Sequence, residues 1–97
     1  TSNIEAYLRR IKEVCRRRDP NCKVIVFGSY VRETMRADSD IDVLLVTDTA
    51  SEALNRGRLK AEIAREIGLV TPFEIHGVTW GEYEGWYRGF IDVYLEI

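Results

Sequence analysis

The sequence predicts an α/β protein of the α+β type, a small mixed β-sheet flanked by helices. Two observations carry this. Apolar residues at helical spacing alternate along the chain with short β-branched runs, giving the order α-β-α-β-α-β-α and a weakly alternating last segment. The length, 97 residues, suits one domain over residues 1–97, with a single modest core.

The elements follow in order. Ile4, Tyr7, Leu8, Ile11, Val14 and Cys15 recur at helical spacing behind a Ser2 or Asn3 cap, and Pro20 biases Asp19 out of helical geometry. Lys23 to Phe27 is short, apolar and β-branched, and so reads as a buried strand. Gly28-Ser29 breaks it, and Tyr30 to Met35 reads as a short helix. Ile41 to Val46 is a second strand, entered through a polar run from Ala37 to Asp40. Ser51 is placed to cap a further helix carrying Leu54, Leu59, Ile63 and Ile67, which Gly68 terminates. Phe73 to Val78 is a third strand. Thr79 caps a last helix bearing Trp80, Tyr83, Trp86, Tyr87 and Phe90, and Ile91 to Ile97 reads as a terminal strand. The 13 residues between the first two strands leave the sheet order open.

Composition excludes several classes. Apolar residues make up 45% and charged ones 31%, as in soluble globular proteins. No apolar run approaches the ~20 residues of a membrane helix. No basic-then-apolar leader is present, so a cytoplasmic address is expected. A net charge of −2 argues against direct nucleic-acid binding. Arg9, Arg10, Arg16, Arg17 and Arg18 form one basic cluster, read as a solvated helix face. Gln is absent, which leans toward a thermophilic source. Cys15 falls on the apolar stripe of its helix, so a buried, reduced thiol is expected, with a Cys15–Cys22 disulfide as the alternative.

The chemistry concentrates in Phe27-Gly28-Ser29-Tyr30-Val31-Arg32 and Asp38-Ser39-Asp40-Ile41-Asp42. A strand that ends in Gly-Ser lets the backbone approach a phosphate closely. Asp40 and Asp42, two apart on a strand, project from one face, whereas Ile41, Val43 and Leu45 face the core. Paired carboxylates stay ionised cheaply around a cation, and oxygen ligands suit Mg²⁺. An isolated Asp-x-Asp also fits a polar strand entrance facing solvent. An EF-hand reading fails because Val43 and Thr49 stand where glycine and glutamate are needed, and no P-loop motif occurs. His76, the only histidine, has no nucleophile beside it in the sequence and reads as a site-rim or solvent residue on the face of Glu74.

Gly28-Ser29, Arg32 and Ser39-Asp40-Ile41-Asp42, at this separation, resemble the signature of the nucleotidyltransferase superfamily related to DNA polymerase β. Length and layout resemble its smallest branch, the minimal nucleotidyltransferases (MNT) of prokaryotes. The resemblance implies the polymerase β-like fold and assigns roles. Gly28, Ser29 and Arg32 would bind the triphosphate of ATP or another NTP. Asp40, Asp42 and Glu74 would be the catalytic carboxylates and hold Mg²⁺, as two ions. Glu74 stands where the family more often has aspartate, and Glu33 where it usually has glycine.

The implied reaction transfers a nucleoside monophosphate, AMP, to a hydroxyl with release of pyrophosphate. The implied partner is a helical HEPN-type toxin, neutralised by this chain as antitoxin. The alternative is an inactive MNT-like protein that neutralises its partner by binding alone. The aromatic-rich last helix is expected to contribute to a homodimer or partner interface.

Overall fold

A computed structural model of the protein describes residues 2–28, 30–31, 40–68, 72–91 and 94–97. Helix α1 spans Ser2–Arg18 and buries Leu8, Ile11, Val14 and Cys15, the stripe its spacing predicts. It stops before Pro20, and a turn in which the Cys22 N–H donates to the Asp19 carbonyl leads into strand β1, Lys23–Phe27. Tyr30 and Val31 lie in a turn, and the rest of the expected helix over 30–35 falls outside the described residues.

Strand β2, Ile41–Val46, is followed by a 3₁₀ turn, Asp48–Ser51, and helix α2, Ala53–Ile67. Strand β3 is Phe73–Val78 and strand β4 is Tyr94–Glu96. Between them the chain is helical in three pieces: an α turn α3, Trp80–Glu82, a π turn, Tyr83–Tyr87, and an α turn α4, Arg88–Phe90.

The sheet order is β3-β2-β1-β4. β1 pairs antiparallel with both β2 and β4, and β2 pairs parallel with β3, so the sheet is mixed as expected. Strand alternation sorts the core into two layers. Val24, Val26, Ile41, Val43 and Leu45 face α1 and α2, where they meet Leu8, Ile11, Leu59 and Ile63. Ile25, Leu44 and Val46 face the other way, against Val78 and the buried Tyr83. Each fully buried Leu or Ile contributes roughly 1.5–3 kcal/mol, so truncating Ile11 or Leu44 to alanine is enough to threaten the fold.

Two local expectations are corrected. Ser51 does not cap α2. Thr47 caps the intervening 3₁₀ turn instead, its Oγ1 accepting from the Thr49 N–H and donating to Asp19 Oδ2 at 2.6 Å. Thr47 is completely buried, so these bonds satisfy a hydroxyl that would otherwise cost stability. Cys15 and Cys22 are not reduced thiols but a disulfide, because the turn at Asp19–Cys22 brings their Cα atoms to 6.0 Å.

The basic cluster of α1 has a structural use. Arg17 reaches Glu62 and Glu66 at 3.3 and 3.2 Å, and Arg18 Nε donates to Glu62 Oε1 at 2.7 Å, bridging α1 to α2. Exposed pairs of this kind contribute up to about 1 kcal/mol each. Among the described residues, no helix is long and apolar enough to cross a membrane.

Candidate active site

Period-2 alternation decides what β2 presents to the face opposite α1 and α2. Ile41, Val43 and Leu45 are sealed in the core, so Asp42 projects on the other face with Leu44 and Val46. In register, Asp42 stands between Phe27 of β1 and Glu74 of β3. Phe73 and Ile75 pack on the α1–α2 side, and Glu74 and His76 therefore share the face of Asp42.

The result is a group of three. One ligand atom from each of Asp42, Glu74 and His76 lies within 4.8 Å of the others. His76 Nε2 is 3.5 Å from Glu74 Oε1. Asp42 is half-buried, and Glu74 is exposed at the open end of the sheet. Burial, and after it the Glu74 carboxylate, pushes the Asp42 carboxyl above its usual range. His76 pulls it down, and Asp40 adds to the rise.

Gly28 closes one side of this group. Its φ of +83° lies in the left-handed region, and a Cβ placed there would collide with Asp42 Oδ2. The glycine therefore serves the strand-to-turn reversal and the close approach of the carboxylate together.

The donor set fits a divalent cation. Burial and the neighbouring Glu74 carboxylate make the charged form of Asp42 costly, and a positive charge between the two would relieve that cost. Hard oxygen donors suit magnesium, whereas an imidazole is a poorer ligand for it, so Asp42 and Glu74 are the fitting ligands and His76 fits as partner to Glu74.

Of the residues expected at the site, Asp42 and Glu74 are brought together and Gly28 lies against Asp42. Asp40 is exposed just ahead of β2 and outside the group of three, though its charge reaches Asp42. Ser29, Arg32 and Glu33 lie outside the described residues. His76, expected at the rim of the site on the face of Glu74, lies on that face beside Glu74 and within reach of Asp42.

The model of the nucleotidyltransferase domain family matches residues 8–92, which include the Gly28 turn, Asp40, Asp42, Glu74 and His76. The chain belongs to the nucleotidyltransferase family. Two solved structures share the architecture. One, a crystal structure of a protein assigned as a nucleotidyltransferase, is 26% identical with a TM-score of 0.74, covering 92% of this chain and 95% of that one. The other, from Sulfolobus solfataricus and likewise assigned as a nucleotidyltransferase, is 21% identical with a TM-score of 0.61, covering 99% of this chain and 86% of its own; at that identity it speaks for the fold alone. The comparison with curated protein sequences gives no match.

Membership makes nucleotidyl transfer from a nucleoside triphosphate the reaction class of this nucleotidyltransferase domain. The family's general use of divalent metals agrees with the acidic group on β2 and β3.

Proposed function

We propose that this nucleotidyltransferase moves AMP from ATP to a hydroxyl of a partner protein, in a magnesium-dependent reaction that releases pyrophosphate. The single observation that carries the reading is the convergence of Asp42, Glu74 and His76 beside the Gly28 turn. Asp40, Asp42 and Glu74 are the proposed metal-holding carboxylates. Gly28, Ser29 and Arg32 are the proposed triphosphate-binding residues.

When bound, magnesium supplies charge neutralisation for the triphosphate and lowers the pKa of the acceptor hydroxyl. The chain's own residues do the positioning. The Gly28 turn, free of a side chain, lets the triphosphate lie against backbone. Asp42, rigidly seated in the central strand, fixes where the α-phosphorus sits relative to the sheet. Glu74, on the exposed side and oriented by His76, marks the side from which an acceptor enters. The acceptor hydroxyl gives its proton to solvent, its oxygen bonds to the α-phosphorus as the bond from that phosphorus to the bridging oxygen of the β-phosphate breaks, and pyrophosphate leaves on the Gly28 side. Such transfer is mostly orientation and electrostatics.

The partner we propose is a HEPN-type helical toxin, with this chain as its MNT antitoxin. Trp86, 70% exposed on the π turn, supports a partner or homodimer interface at the last helical segment. A cytoplasmic, thermophilic setting reconciles the disulfide with that role, since intracellular proteins of hyperthermophiles carry disulfides.

Titration of ATP with and without Mg²⁺, on the wild type and on Asp40→Asn/Asp42→Asn, tests the reading. Metal-dependent binding that the double variant loses is expected, followed by transfer of label from α-labelled ATP to a co-expressed partner. Absence of binding at millimolar ATP would leave the binding-only antitoxin, a reading that the exposed Asp40 outside the group of three favours.

A further inference from the structure

We infer that Phe27 and Tyr94 form a shelf on which the base of the nucleoside triphosphate stacks, and that Tyr94 is the main side chain by which the protein prefers a nucleotide to a bare triphosphate. The inference rests on the nucleotidyl-transfer reading of the site.

The observation is a single cross-strand row. Tyr94 pairs with Phe27, Phe27 with Asp42, and Asp42 with Glu74, so one line of residues crosses all four strands. Directly paired residues point to the same face of a sheet. The row therefore runs from two carboxylates at one edge to two aromatic rings at the other. Leu95 obeys the same rule in reverse, lying beside Leu8 and Arg9 on the α1 side.

Phe27 is half-buried against the second core layer and makes a fixed floor. Tyr94 is 50% exposed on the short edge strand. Two strand spacings, roughly 10 Å, separate Tyr94 from Asp42 at the backbone, a gap that a ribose spans between an α-phosphate and its base. An exposed ring continuous with a phosphate site suits any base, because every base has a π-face.

Affinity for Mg-ATP and for magnesium tripolyphosphate, measured by calorimetry on the full chain, tests this. The wild type is expected to bind ATP more tightly than tripolyphosphate. Tyr94→Ala is expected to weaken ATP about tenfold, in line with the usual worth of one base–aromatic stack, without a matching change for tripolyphosphate. Tyr94→Phe, which keeps the ring, should retain ATP affinity, and thermal melts of both variants check that the edge strand still forms. If the wild type binds both ligands and Tyr94→Ala changes neither or both alike, the shelf is wrong and the triphosphate reading stands. If the wild type binds neither ligand, the triphosphate reading itself fails and the shelf falls with it.

Discussion

The Asp42 carboxylate occupies the space that a side chain on Gly28 would need. One residue ends β1 and the other projects from β2, so the turn and the acid fit only as a pair. Gly28→Ala meets two costs: a left-handed backbone, about 1 kcal/mol or more for a residue with a Cβ, and displacement of Asp42. It is expected to lower stability in urea denaturation and to abolish metal-dependent ATP binding. Gly57→Ala is the contrast. Gly57 sits within α2 with open space where its Cβ would be, so that change should add about 0.5–1 kcal/mol and leave binding intact.

Asp42 should trade stability for function. Its folded pKa is raised, chiefly by burial and then by Glu74. Between the unfolded carboxylate value, about 3.9, and that higher folded value, the native state holds more proton than the unfolded chain. Stability from this group therefore falls as pH rises through the window and stays low above it. Asp42→Asn removes the titration, so at neutral pH without metal its melting temperature is expected to equal or exceed the wild type's, while nucleotidyl transfer is lost. Millimolar Mg²⁺ should raise the wild type's melting temperature at pH 7 and not the variant's. A variant destabilised at neutral pH would show that Asp42 serves the fold.

Legibility followed periodicity. The buried stripe of α1, the core face of β2, the terminus of α1 and the Gly68 cap of α2 were readable because alternation and helical spacing are local. Asp42 and Glu74 were readable for the same reason: each sits between core-facing neighbours that fix its direction. What spacing does not encode is how strands pair. The register that puts Glu74 opposite Asp42, and His76 within reach of both, is set by the parallel pairing of β2 and β3. The Thr47 cap escaped notice because its value lies in a bond to Asp19, 28 residues away. The disulfide stood second to a buried thiol because helical spacing makes Cys15 look like any core residue, and only the turn after α1 brings it to Cys22.

The Cys15–Cys22 bridge closes a loop over a sequence separation of 7 and joins the end of α1 to the start of β1. Chain-entropy arithmetic for so short a loop gives about 2 kcal/mol. Denaturation under strong reductant, or of the Cys15→Ala/Cys22→Ala double variant, should show a loss of that order. Both sulfurs are buried, so mild reductant without denaturant is expected to leave the bond intact, with non-reducing mass spectrometry of the unfolded chain as the check. Rapid reduction of the folded protein would mean that this junction opens readily.

Thr79 and Glu82 anchor the segment that covers the second core layer. The Glu82 N–H donates to Thr79 Oγ1 at 3.1 Å, and the Thr79 N–H donates to Glu82 Oε1 at 2.9 Å, a reciprocal cap at the start of α3. The backbone bond from Thr79, and then its side chain, hold the Glu82 carboxyl below its usual range. A depressed folded pKa contributes stability that is present above the unfolded value and lost as pH falls through the folded one, opposite in sign to Asp42. Thr79→Ala is expected to cost about 1 kcal/mol near neutral pH. Glu82→Gln should flatten the acid limb of the stability profile while barely moving the neutral plateau, because an amide oxygen still accepts from the Thr79 N–H. Tyr83 follows directly and is buried against Ile25 and Leu44, so loosening the cap should expose it, and near-ultraviolet circular dichroism should lose Tyr signal in Thr79→Ala before the sheet unfolds. A Thr79→Ala variant with an unchanged profile and spectrum would show that burial of Tyr83, and not the cap, holds the segment in place.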